Sequence, residues 1–73
     1  MTQRALPSIL VVEDDLDLRH TIVASLEATG FVAAQASDAA DAIERLRSFA
    51  YDGLVVDLRL PDADGMTVLA IAE

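Results

Sequence analysis

Ser8-Ile-Leu-Val-Val12 runs straight into Glu13-Asp14-Asp15, and Gly53-Leu-Val-Val56 runs straight into Asp57. Each is a short, unbroken apolar run with β-branched residues, the pattern of a strand covered on both faces. Each ends in carboxylates. If the two strands are parallel neighbours, Glu13, Asp14 and Asp57 meet at one edge of the sheet, where ligands of open α/β sheets bind. Acids crowded in that way call for a cation, because like charges a few ångströms apart cannot all stay ionised unaided.

Working outward, residues 1–7 read as a short irregular lead, with Pro7 suited to the position before a strand. Asp15 is an N-cap candidate, Asp17 favours the first turn, and Leu18, Ile22 and Leu26 form the apolar stripe of a first helix. Thr29-Gly30 closes that helix. Phe31 to Ala36 reads as a second strand. Ser37 or Asp38 caps a second helix, whose stripe is Ala39, Ala42, Ile43, Leu46 and Phe49 or Ala50, with Asp41 and Arg45 paired on its outer side. Tyr51-Asp-Gly53 is a turn, Leu54 to Asp57 the third strand, Pro61 to Gly65 a loop, and Met66 to Glu73 opens a third helix. The order β-α-β-α-β-α predicts a parallel sheet with right-handed crossovers. Val68-Leu-Ala-Ile-Ala72 is still apolar near the last residue, so residues 1–73 are expected to be the N-terminal part of a single, truncated domain.

Hydrophobic content is 53%, which argues against disorder, while 4% aromatics and no Trp predict an aliphatic core. Thirteen acids face five arginines and no lysine, a net charge of −8 that disfavours direct nucleic-acid binding by this segment. The lack of Cys excludes disulfides and thiolate metal sites. No apolar stretch has secretory or membrane-spanning length, so the expectation is a soluble, cytoplasmic protein.

A carboxylate at the end of an apolar strand can act as a nucleophile toward phosphorus if a cation offsets the charge on both partners. Mg2+ suits the donors: it takes oxygen ligands, keeps several waters, and uses one or two carboxylates with phosphate oxygens. Asp14 and Asp57 are candidate direct ligands, Glu13 a direct or water-mediated one, and a main-chain carbonyl just after Asp57 another. Taken singly, Asp57 could be a turn or cap residue, and Glu13-Asp14-Asp15 the acidic first turn of a helix. Both strand ends together with the Leu60-Pro-x-x-x-Gly65 loop favour function.

These two segments, Ile9-Leu-Val-Val-Glu-Asp-Asp15 and Asp57-Leu-Arg-Leu-Pro-Asp-Ala-Asp-Gly65, resemble the receiver domain of two-component response regulators. The resemblance implies a flavodoxin-like (CheY-like) three-layer fold whose parallel sheet has order 2-1-3, with strands four and five missing. It implies that Asp57 is the phosphoacceptor for a histidine kinase or phosphotransfer protein. Glu13 and Asp14 then match the acidic pair that holds Mg2+, and Arg59 the position whose main-chain carbonyl is a ligand. The receiver pattern also has a Ser or Thr after the fourth strand and a Lys after the fifth. Neither lies within these residues, so phosphotransfer and switching are expected to be impaired. The third strand becomes an exposed sheet edge, which predicts a homodimer.

Competing readings fit less well. Haloacid-dehalogenase-type phosphatases need an Asp where Arg59 stands, and Toprim-type nucleases need an Asp-x-Asp pair that Asp57-Leu-Arg59 lacks. Asp62 and Asp64 read as solvated turn residues, His20 as a solvated helical histidine, and Arg19 as a surface arginine. Leu18, Ile22, Ile43 and Leu46 read as core. The remaining alternative is a non-phosphorylated interaction or dimerisation module that uses the third-strand edge.

Overall fold

The computed structural model describes residues 6–72. Residues 1–5 of the expected lead, and Glu73 at the end of the expected third helix, lie outside the described residues. Six elements alternate along the chain: β1 (Ser8–Val12), α1 (Leu16–Thr29), β2 (Val32–Ala36), α2 (Ala39–Ser48), β3 (Gly53–Val56) and α3 (Gly65–Ala72). The sheet order is β2-β1-β3, with both pairings parallel. Leu10 stands beside Ala34 on one side and Leu54 on the other, and Val12 beside Ala36 and Val56. Order and orientation are those expected. No described helix is long and apolar enough to cross a membrane.

β1 is central and carries the core, with Leu10, Val11 and Val12 fully buried. Strand alternation sends Leu10 and Val12 to one face, where they pack with Ala36, Ala39, Ala42 and Val68 beneath α2 and α3. Three alanines at these contacts let α2 lie close to the sheet. The register at the far end is tied by Asp52, whose carboxylate accepts from the Ser8 N–H at 2.7 Å while its own N–H donates to the Ser8 carbonyl at 2.8 Å.

The helix ends follow their capping chemistry. The Asp15 side chain accepts from the Leu18 N–H at 2.9 Å, and that of Asp38, rather than Ser37, accepts from the Asp41 N–H at 2.8 Å. Gly30 lies in the left-handed region at φ 106°. From there its N–H reaches the Glu27 carbonyl, and that of Phe31 the Leu26 carbonyl, a Schellman closure.

Two expectations about packing need correction. Leu18 is 48% exposed, whereas Val23 is the buried residue of α1 and Ile22 and Leu26 are half-buried. The inward line runs through Arg19, Ile22, Val23 and Leu26, so a charged residue takes the place assigned to Leu18. Phe49 is also exposed, because α2 ends at Ser48 and the chain turns extended there. The Asp41–Arg45 pair forms at 3.3 Å on a well-exposed surface and contributes about 0.3–0.5 kcal/mol.

Candidate metal and phosphoryl site

The parallel ladder continues one residue past the strands. The Glu13 N–H donates to the Ala36 carbonyl at 3.1 Å, and the Asp57 N–H to the Val12 carbonyl at 3.0 Å. These two bonds put the first residue after β1 and the first after β3 side by side at the carboxyl edge. Glu13, Asp14 and Asp57 converge there, each offering a carboxylate oxygen within 4.8 Å of the other two. Glu13 is buried, Asp57 half-buried and Asp14 exposed, so the cluster opens to solvent on the Asp14 side.

The electrostatics follow from that crowding. Burial pushes the Glu13 carboxyl above the ordinary carboxylate range, and its proximity to Asp14 and Asp57 pushes the same way, against a bond from the Asp15 N–H at 3.3 Å. The Arg59 N–H donates to Asp57 Oδ1 at 3.0 Å, which orients that carboxylate. Arg59 itself forms an isolated antiparallel bridge with Asp64. Gly65 closes the loop against the Asp57–Leu58 backbone, where a Cβ would overlap the Asp57 carbonyl oxygen.

Three residues around the pocket do more than their sequence context suggested. Asp62 is not merely a solvated turn residue. Its two oxygens accept from the N–H groups of Ala39 and Ala40 at 2.8 and 2.9 Å, capping α2 from across the fold. Asp64 caps α3 through the Met66 N–H at 2.9 Å. Arg19 is not an ordinary surface arginine: it donates to the Glu13 carbonyl at 2.8 Å and to Gln35 Oε1 at 3.1 Å. Asp62 and Asp64 could have been suspected from the rule that carboxylates favour helix starts, whereas Arg19 carries no local signal. His20 is exposed on α1, as expected.

The family model of the response regulator receiver domain matches residues 9–71. The chain belongs to this family. This receiver sequence is 42% identical over 62 residues to the swarming motility regulation protein RssB of Serratia marcescens, covering 85% of the chain and 28% of that protein. It is 36% identical over 58 residues to the response regulator receiver protein CpdR of Brucella abortus, covering 80% of the chain and 48% of that protein. Among solved structures, a CheY-like receiver domain from Methylobacillus flagellatus superposes with a TM-score of 0.86 at 32% identity, over 90% of this chain and 56% of that one. The Thermotoga maritima response regulator TrrA, solved in complex with Mg2+ and BeF, superposes with a TM-score of 0.86 at 26% identity, over 89% of this chain and 56% of that one. The receiver chain thus spans about a quarter to a half of the curated relatives named here and just over half of the solved structures. The fold is that of an incomplete flavodoxin-like receiver. Mg2+-dependent acceptance of a phosphoryl group is general to the family, and an all-oxygen cluster containing a buried acid is the donor set that such an ion takes.

Proposed function

We propose that Asp57 accepts a phosphoryl group from a histidine kinase or phosphotransfer protein, with Mg2+ held by Glu13, Asp14, Asp57 and the Arg59 main-chain carbonyl. The observation that carries this is the convergence of three carboxylates within 4.8 Å at the carboxyl edge of a parallel sheet. In the reaction an Asp57 oxygen bonds to phosphorus as the bond to the donor's histidine nitrogen breaks, and that nitrogen keeps the electron pair. The metal supplies charge neutralisation between the carboxylates and the phosphoryl oxygens. The Arg59 N–H holds the attacking carboxylate in one orientation, and the Ala36 and Val12 carbonyls fix the backbone on both sides of the pocket.

Residues 1–73 are read as the N-terminal part of a single receiver domain, working in the cytoplasm and not a conventional enzyme. Coverage of just over half of the solved receivers supports the partial-domain reading alone. Without a lysine in these residues to clamp the phosphoryl oxygens, transfer by the chain on its own is slow. Losing a preorganised electrostatic group of that kind costs about 10²–10³-fold in rate. The test is incubation with acetyl phosphate and Mg2+. A weak hydroxylamine-labile adduct that disappears in Asp57→Asn is expected, and an adduct of equal yield in the variant refutes the assignment.

The β3 edge favours a second reading, a homodimerisation or interaction module. Among the described residues β3 pairs only with β1, and Val55 is 38% exposed. An unpaired edge is a template for another strand. Sedimentation equilibrium decides: a concentration-dependent dimer supports this reading, and a folded monomer at every concentration removes it.

A further inference from the structure

We propose that Arg19 is a positioning residue for the acidic pocket: its guanidinium holds the peptide unit that joins Glu13 to Asp14, and Gln35 holds the guanidinium. This inference rests on the Mg2+ reading above. Arg19 lies in the first turn of α1, half-buried beside the sheet edge. One nitrogen donates to the Glu13 carbonyl oxygen at 2.8 Å, and Nε donates to Gln35 Oε1 at 3.1 Å. Gln35 stands on β2 opposite Val11 of β1, so the helix, the central strand and its neighbour meet through one side chain.

The contacted carbonyl belongs to the peptide between two candidate ligands. The torsions on either side of that peptide, ψ of Glu13 and φ of Asp14, set the direction of the Asp14 side chain relative to that of Glu13, and the pocket works only if both carboxylates converge. The Glu13 N–H is tied to Ala36, and its carboxylate receives the Asp15 N–H. Arg19 secures the remaining side of the residue with a charge-assisted bond. A guanidinium suits the task because its donors form a rigid fork that can serve two acceptors at once.

The sign of the effect separates positioning from simple charge. A cation beside the pocket repels Mg2+, so removing it should tighten binding if charge were its only influence. Positioning predicts the reverse. The experiment is calorimetric titration of Mg2+ alone into wild type, Asp14→Asn, Arg19→Ala, Arg19→Lys and Gln35→Met, with the metal-free melting temperature of each. Arg19→Ala should weaken Mg2+ binding by about 10-fold, as loss of a group that orients metal ligands does. Arg19→Lys, which keeps the charge but offers a single donor nitrogen, should recover part of that loss, and Gln35→Met should lose a smaller factor than Arg19→Ala. Unchanged or tighter binding by folded Arg19→Ala overturns the proposal. If that variant does not fold, wild-type affinity in Gln35→Met overturns it. Wild type without Mg2+ affinity, or Asp14→Asn binding like wild type, sinks the metal reading itself and this inference with it.

Discussion

At Gly65 a hydrogen is the largest side group the fold admits. A Cβ there would overlap the Asp57 carbonyl oxygen and stand 2.8 Å from Leu58 Cα, and both obstacles are backbone. Gly65→Ala should therefore destabilise the chain by about 1–3 kcal/mol in urea unfolding. It should also displace Asp57 and lower adduct yield at a urea concentration where the protein is still folded. Leu10→Ala works differently: it empties a fully buried position in the central strand and should cost about 3 kcal/mol with little change in Mg2+ affinity. The convergence of Glu13, Asp14 and Asp57 was legible in the sequence because the signal is local, an apolar strand followed directly by acids. Arg19 was not legible. Its acceptors are a main-chain carbonyl and a glutamine on another strand, and nothing within its own helix distinguishes it from a solvated arginine.

Helix α2 depends on a residue far from it in sequence. Asp38 satisfies one of its first N–H groups, and Asp62 reaches from the β3–α3 loop to two more. Those backbone bonds, led by the one from Ala39, hold the Asp62 carboxyl below the ordinary carboxylate range. The folded-state value is depressed, so the stabilisation is present above about pH 4 and is lost as pH falls further. Asp62→Ala should melt lower than wild type near neutrality, with the gap closing toward pH 3 in thermal scans. The six elements were legible because each carries its own cap, stripe or apolar run. The rotation of α1 was missed: Leu18, Ile22 and Leu26 keep helical spacing, but so do Arg19, Ile22, Val23 and Leu26. Tertiary contacts select the second line: Val23 is buried against the sheet, and Arg19 bonds to the Glu13 carbonyl and to Gln35. Gly30→Ala meets open space yet keeps a φ of 106°, so it should cost about 1–2 kcal/mol through backbone strain alone.

The whole molecule carries a net charge of −8 on 73 residues, and its self-repulsion opposes compaction. Salt should raise the melting temperature by screening. Mg2+ should raise it further than NaCl of equal ionic strength, and Asp57→Asn should remove much of that excess. A ligand that binds only the folded chain adds about 2.7 kcal/mol at a hundredfold excess over its Kd. The two ladder bonds beyond the strand ends, Glu13 to Ala36 and Asp57 to Val12, give that stabilisation its selectivity. A strand that slips by one residue turns its side chains to the opposite face, and an out-of-register sheet then presents no set of oxygens for the ion to bridge. Divalent cation would thus act as a proofreader of strand alignment, rewarding only the chain that has already paired its first and third strands correctly.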